Sequence, residues 1–224
     1  TVNFKDFAAP TPGDSYLRCR LGVISTGFVP APTGPYINGE VEDYRIRIDR
    51  FDFGDAPDTG AGTGTGNYQT TAADNGPSHV ILATSPGNVP LLALGATIDP
   101  DDGTLQNVAA DADDTTNTGA VDDEDGVSTL PVITSATTSL SLDVDVTNAL
   151  FLDASLVCWI DFNRDGDFND PGEQSSEETG ATSGTRTVNF NGFAAPTRGD
   201  SYLRCRLGVR KTGFVPAPTG PYDA

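Results

Sequence analysis

The segment Asp161-Phe162-Asn163-Arg164-Asp165-Gly166-Asp167-Phe168-Asn169-Asp170-Pro171-Gly172-Glu173 carries oxygen donors at alternate positions around a glycine. That is the spacing of a calcium loop. Asp161, Asn163 and Asp165 hold places one, three and five, Gly166 permits the sharp turn at place six, and Asp167 offers its backbone carbonyl. The end departs from the pattern, because Gly172 stands at place twelve and the carboxylate, Glu173, follows one residue later. A strand precedes the loop where a helix would stand in a helix-loop-helix site. Such residues also build Asx-rich turns with no ion. Three shorter runs pair carboxylates in the same way: Asp99-Pro100-Asp101-Asp102-Gly103, Asp111-Ala112-Asp113-Asp114 and Asp122-Asp123-Glu124-Asp125-Gly126. Short fixed spacings favour a bound cation over plain solvation, which needs no spacing, and hard oxygen donors select Ca²⁺. The expected ligands are Asp161, Asn163, Asp165, Asp167 and Glu173, with Asp99, Asp101, Asp102, Asp111, Asp113, Asp122, Asp123 and Asp125.

The charge balance sharpens this expectation. Between Phe51 and Asn163 there are eighteen Asp and Glu residues and no Lys or Arg, so nothing local neutralises them. Over the 224 residues, 32 acidic and 13 basic side chains leave a formal charge of −19. A surface of that sign does not suit nucleic acid, whose phosphates need basic groups, or an anionic membrane face. No apolar run is long enough for a membrane-spanning helix. The bland alternative is an acidic surface that keeps a protein soluble at high salt.

These groups need a scaffold, and the chain reads as strands. Leu140, Leu142, Val144 and Val146 alternate with Ser141, Asp143 and Asp145, which places an apolar row on one strand face. Leu156–Phe162, Thr187–Phe190 and Tyr202–Val209 follow as further strands, and 25 glycines and 16 prolines punctuate the whole. The expected fold class is all-β, a β-sandwich with an irregular acidic, calcium-rich segment. The Pro-rich run from Val215 to Pro221 is expected to be an ordered crossover loop.

A long repeat governs the domain reading. Residues 1–36 return as 187–222 with five differences, Lys5/Asn191, Asp6/Gly192, Pro12/Arg198, Ile24/Arg210 and Ser25/Lys211. After the first copy the chain continues through Gly39-Glu40-Val41-Glu42-Asp43-Tyr44-Arg45-Ile46-Arg47-Ile48, a period-2 stretch read as a strand; after the second it continues only to Ala224. Residues 1–50 are therefore expected to be the C-terminal part of a preceding repeat, 51–130 an acidic loop-rich segment, and 131–224 a β-sandwich lacking its last strand. Glu40, Val41, Glu42, Asp43, Tyr44 and Ile46 are expected to form an inter-repeat strand, within a tandem array or as a strand given to a neighbouring chain. Either arrangement predicts copies of the chain joined head to tail.

Cys158 shares a strand face with Leu156 and Ile160, and Cys205 with Leu203 and Leu207, so both point to a core and can pair or stay as buried thiols. Cys19, the counterpart of Cys205, is expected to be unpaired within the chain. A Ser-His-Asp or Cys-His site would have to use His79, the one histidine, and no nucleophile motif accompanies it. Trp159 is the one Trp, which does not suit a sugar-cleaving cleft. No enzyme is expected. Lys5 and Lys211, the only lysines, are the only candidates for a Lys–Asn cross-link, and neither is matched in the other copy.

The runs Asp52-Phe53-Gly54-Asp55-Ala56-Pro57-Asp58, Gly76-Pro77-Ser78-His79-Val80, Leu94-Gly95, Asp122–Val127, Trp159–Asn163 and Gly39–Tyr44 together resemble the GEVED-domain repeats of large bacterial surface proteins. The resemblance spans nearly the whole chain once the 186-residue offset between the copies is allowed for. It implies a secreted, repetitive, β-rich stalk or adhesin module with bound calcium and no defined catalytic activity. The expected function is a calcium-stabilised structural repeat of an extracellular fibre or cell-surface stalk, the alternative a calcium-dependent adhesin module that binds a glycan or partner protein.

Overall fold

The computed structural model describes residues 13–23, 31–35, 38–84, 89–116, 122–210 and 215–222. Lys5, Lys211 and residues 1–4, the first-copy counterpart of the strand at Thr187–Phe190, lie outside them. The chain divides into two compact units, Thr1–Arg50 and Phe51–Ala224.

The first unit is an antiparallel hairpin of β1 (Gly13–Gly22) and β2 (Gly39–Ile48). Its register sets Leu17 opposite Tyr44, Arg18 opposite Asp43 and Cys19 opposite Glu42. Two ion pairs stitch the strands: the Arg18 guanidinium grips both oxygens of Asp43 at 2.6 and 2.7 Å, and Arg45 donates to Asp14 at 2.8 Å. Arg20 donates to the carbonyls of Ala31, Thr33 and Gly34, tying the Pro-rich loop to the strand. Tyr16, Leu21 and Val41 are more than half exposed. A two-stranded ribbon with its apolar side chains in water is marginally stable.

The second unit opens with five short strands, β3 (Phe51–Phe53), β4 (Thr63–Gly64), β5 (Asn67–Tyr68), β6 (Ser78–Val80) and β7 (Leu92–Leu94), a 3₁₀ turn at Ala72–Asp74 and one short α-helix, α1 (Ala112–Thr116). Four longer strands follow, β8 (Ser139–Asn148), β9 (Ala154–Ile160), β11 (Gly184–Asn191) and β12 (Leu203–Val209), with two-residue β10 (Glu178–Thr179) and β13 (Pro221–Tyr222) among them. The sequence shows few strands between 51 and 130, whereas the structure places β3 to β7 there. At two or three residues each, they are too short to display an alternation.

Two three-stranded sheets, ordered β11-β8-β7 and β10-β9-β12, supply one core. Leu142, Val144 and Val146 come from β8, Val188 and Phe190 from β11, Leu156, Cys158 and Ile160 from β9, and Leu207 from β12. The opposite face of β8 is polar as read, with Asp143 and Asp145 accepting from the Thr187 and Thr185 hydroxyls at 2.6 Å. β9 is buried on both faces. Its Val157 and Trp159 pack with Ala56, Tyr68 and Phe168 in a second cluster. The acidic segment is thus anchored by covering the outer face of β9, which explains how a stretch so poor in apolar residues is ordered.

Cys158 and Cys205 face each other across β9 and β12 and form a disulfide, while Cys19 is exposed and free. The bridge closes 47 residues of sequence. A Cys158→Ala/Cys205→Ala variant is expected to lose about 2–4 kcal/mol, most of it through a less restricted unfolded chain. Denaturant midpoints with and without reductant check this: reductant should shift the wild type and leave the variant unmoved.

Candidate metal centre

Carboxylates from three stretches of the second unit converge at one place. Asp113 and Asp114 on α1 and Asp123 and Glu124 in the following segment each bring an oxygen to within 4.8 Å of the others. Calcium–oxygen distances are about 2.3–2.6 Å, so oxygens on opposite sides of one ion lie nearly that far apart. Asp55 lies beside them on the β3 side: its Oδ2 accepts from the Asp113 backbone N–H at 3.2 Å, and its Oδ1 is buried with no hydrogen-bond partner among the described residues. Asp114 Oδ1 is also buried, with no hydrogen-bond partner among the described residues. A buried lone-pair site left empty is costly, and a cation held by the Asp113, Asp114, Asp123 and Glu124 group would give Asp114 a partner. The donors are all carboxylates, the set a hard divalent ion selects.

The electrostatics agree with this geometry. Burial, then contact with Asp113, holds Asp55 well above the usual carboxylate range. Burial raises Asp123 to about 7, with repulsion from Asp113, Asp99 and Asp114 adding to it. Burial and the Asp123 charge also raise Glu124. Without a cation, these groups resist sharing the site as anions.

The loop 161–173 is built differently from its sequence pattern. Asp161 is fully buried, and its oxygens accept from the Tyr68 hydroxyl at 2.8 Å, the Gly166 N–H at 3.0 Å and the Arg164 N–H at 2.5 Å. Glu173 is likewise buried and accepts from the Phe162 and Asp170 N–H groups. These two carboxylates brace the loop from inside. The side chains that gather are Asp165, Asp167 and Asp170, on the exposed rim, with Asn163 donating to Asp165 and Asp170. Gly166 is essential to the turn: its φ is +94°, and a Cβ would lie 1.5 Å from the Gly64 carbonyl oxygen. Gly166→Ala is expected to cost roughly 2–3 kcal/mol, from left-handed strain plus displacement of the 64–65 backbone. Thermal denaturation measures this, and an unchanged midpoint would contradict it.

The other expected ligands separate. Asp101 accepts from the Gly103 N–H in its own turn and from the Phe53 N–H on β3, and Asp102 accepts from the N–H and hydroxyl of Thr104. Asp111 accepts from the Asn107 side chain. Asp125 accepts from the Ala96 N–H through Oδ2, and its Oδ1 is buried without a partner. Asp99 donates its N–H to Asp123. Asp122 is exposed, and its carbonyl accepts from the Thr97 hydroxyl. Asp55, Asp114, Glu124 and Asp170 were not among the expected ligands. Asp114, Glu124 and Asp170 lie inside acidic runs already visible in the sequence, whereas no local signal singles out Asp55.

Beside the α1 cluster runs a cavity of about 1130 Å³, lined by Asp114, Asp122, Asp123 and Glu124 at one end and by β12 along its length. The buried guanidiniums of Arg204 and Arg206 hold the wall behind it. Arg204 donates to the carbonyls of Pro218 and Tyr68 and to the Thr70 hydroxyl. Arg206 donates to His79 Nε2 and to the carbonyls of Ser78, Ala217, Thr219 and Gly220. The crossover loop is therefore ordered as expected, held by the same arginine-to-carbonyl contacts that Arg20 makes in the first copy.

The stretch that carries β9, the 161–173 loop, β11, β12 and the clamped loop is similar in sequence to one known family. Residues 155–224 match the GEVED domain. The match covers the second copy of the repeat, and the Gly39–Tyr44 run lies outside it. No curated protein and no solved structure matches the chain. No helix among the described residues is long and apolar enough to cross a membrane.

Proposed function

We propose that the chain is a structural repeat of an extracellular fibre or cell-surface stalk, closed into a β-sandwich, rigidified by calcium and joined head to tail to further copies of itself. The observation that carries this reading is the return of residues 1–36 at 187–222, inside the span that matches the GEVED domain. Near-identical copies at that separation are what a polymer built from one unit requires. A disulfide between the core-facing Cys158 and Cys205 suits an oxidising location outside the cell. The ring of Asp113, Asp114, Asp123 and Glu124, with buried Asp55 beside it, supplies a site for calcium. The role is mechanical and needs no turnover.

Electron microscopy of the purified chain with calcium and with chelator tests the reading. Extended head-to-tail particles in calcium, loosened by chelation, are expected. A solitary particle of constant shape in both would overturn it. Calcium-dependent capture of a glycan by such a particle would replace it with an adhesin module.

A further inference from the structure

The edge of β12 away from β9 carries no strand among the described residues, and the duplicate of β12 shows what that edge takes. Gly13–Gly22 recurs without change as Gly199–Gly208, so β1 and β12 are one strand written twice. In the first unit this sequence pairs along its whole length with β2. In the second it has a single neighbour, β9. The Cα atoms of Cys158 and Cys205 are 4.0 Å apart, the close spacing of a non-hydrogen-bonded pair. The Cys158 carbonyl accordingly accepts from Ser175 on its far side. It follows that the backbone N–H and C=O groups of Leu203, Cys205 and Leu207 point away from β9, toward the open edge.

That edge borders the cavity of about 1130 Å³, which is lined by every residue of β12 but by only Ile160 of β9. Its other wall includes Leu82, Leu92, Leu94, Leu130 and Ile133. We propose that β2 of a second copy occupies this groove as an antiparallel strand on β12, in the register β1 uses. The proposal rests on the head-to-tail reading and names its joint. It is independent of calcium.

Carried over from the first copy, the register places Ile46 opposite Ser201, Tyr44 opposite Leu203, Glu42 opposite Cys205 and Glu40 opposite Leu207. Tyr44 and Ile46 then share the face of Leu203, which packs against the core. Both are 40% or more exposed in their own hairpin, so the transfer buries apolar surface that the two-stranded ribbon leaves in water, while Glu42 and Glu40 continue the same face. The register also carries over for the charged residues. Asp43, held by Arg18 in the hairpin, comes beside Arg204, and Arg45, held by Asp14, comes beside Asp200. Arg204 and Asp200 both line the groove.

The test uses full-length chains in a Cys19→Ser background. One population carries Ile46→Cys, and a second, distinguishable by mass, carries Ser201→Cys. Mixed under mild oxidation, they are expected to give a disulfide-linked species containing one chain of each kind. The pairing Tyr44→Cys with Ser201→Cys, two residues out of register, is expected to give little. No mixed species, or equal yields from both pairings, would overturn the proposal, as would a cross-link confined to single chains in the Ile46→Cys/Ser201→Cys double variant. Hydrogen exchange on the unaltered chain gives a second readout that needs no variant to fold. The Leu203, Cys205 and Leu207 amides should exchange roughly tenfold or more slowly in concentrated assembled samples than in dilute ones. Equal rates would count against the joint. A cross-link that forms in register while chelation changes nothing would keep the strand joint and remove the calcium reading. The reverse pattern would remove only the joint.

Discussion

Removing divalent cations will lower the melting temperature of the chain by on the order of 10 °C, and the drop will grow as pH rises. The size follows from linkage: an ion present at a thousand times its dissociation constant stabilises the folded state by about 4 kcal/mol. In a chain of this length each kcal/mol moves the midpoint by about 2–4 °C. The pH dependence follows from the carboxylates. Asp123 is raised to about 7 in the fold, and Asp55 and Glu124 are raised as well, each chiefly by burial. A carboxylate with a raised folded pKa contributes stability that is complete below its unfolded pKa, near 4, and lost as pH climbs through the folded value. The ion-free protein will therefore weaken from about pH 4 upward through pH 7 and beyond. Calcium favours the ionised forms and opposes that loss. Calorimetry in calcium and in chelator at pH 5, 7 and 9 should give curves that diverge with pH. Curves that superimpose at all three would dispose of the site, whereas Asp123→Asn/Glu124→Gln, which lacks two of the three raised carboxylates, should give one curve with and without calcium and weaken less with pH than the wild type in chelator.

Much of this arrangement is legible from sequence because its signals are local. The alternation of Leu142, Val144 and Val146 with Asp143 and Asp145 specifies both the strand β8 and its buried face, since one face meets the core and the other meets threonine hydroxyls. Cys158 and Cys205 could be assigned to core faces by their neighbours, and the structure joins them. The 161–173 loop was legible as a turn but not in its division of labour. Spacing identifies carboxylates that could converge, but it does not reveal that Tyr68, 93 residues away, takes up one of the Asp161 oxygens. Asp55 was hidden for the same reason, as it meets Asp113 across 58 residues. Nor does Leu-Arg-Cys-Arg-Leu disclose that Arg204 and Arg206 are 7% and 3% exposed. A buried guanidinium is tolerated only where carbonyls come to meet it, and those carbonyls belong to distant turns and to the Pro-rich loop.

Arg206→Met will destabilise the second unit by on the order of 5 kcal/mol, because it strips donors from five acceptors at once. Ser78, Ala217, Thr219 and Gly220 would lose a partner for their carbonyls, and His79 one for Nε2. The guanidinium also lies 3.5 Å from the centroid of the Tyr222 ring, so the loop would lose a cation–π contact too. Arg206→Lys should recover only part of the loss, because an ammonium supplies three donors in place of a fork and cannot span both the loop and β6. His79 gives this clamp its own pH signature. Burial first, and the Arg206 charge second, lower His79 to about 3, so it is neutral in the fold and accepts from Arg206. A histidine with a depressed folded pKa contributes stability that is present above its unfolded value, near 6.5, and lost as pH falls toward 3, at about 1.4 kcal/mol per pH unit. Comparing wild type with His79→Gln across pH 7.5 to 4 cancels the carboxylate contribution common to both. The wild-type advantage should shrink below pH 6.5 and then reverse. A difference that stays constant over that range would mean that His79 is solvated and that Arg206 is held by the loop carbonyls alone.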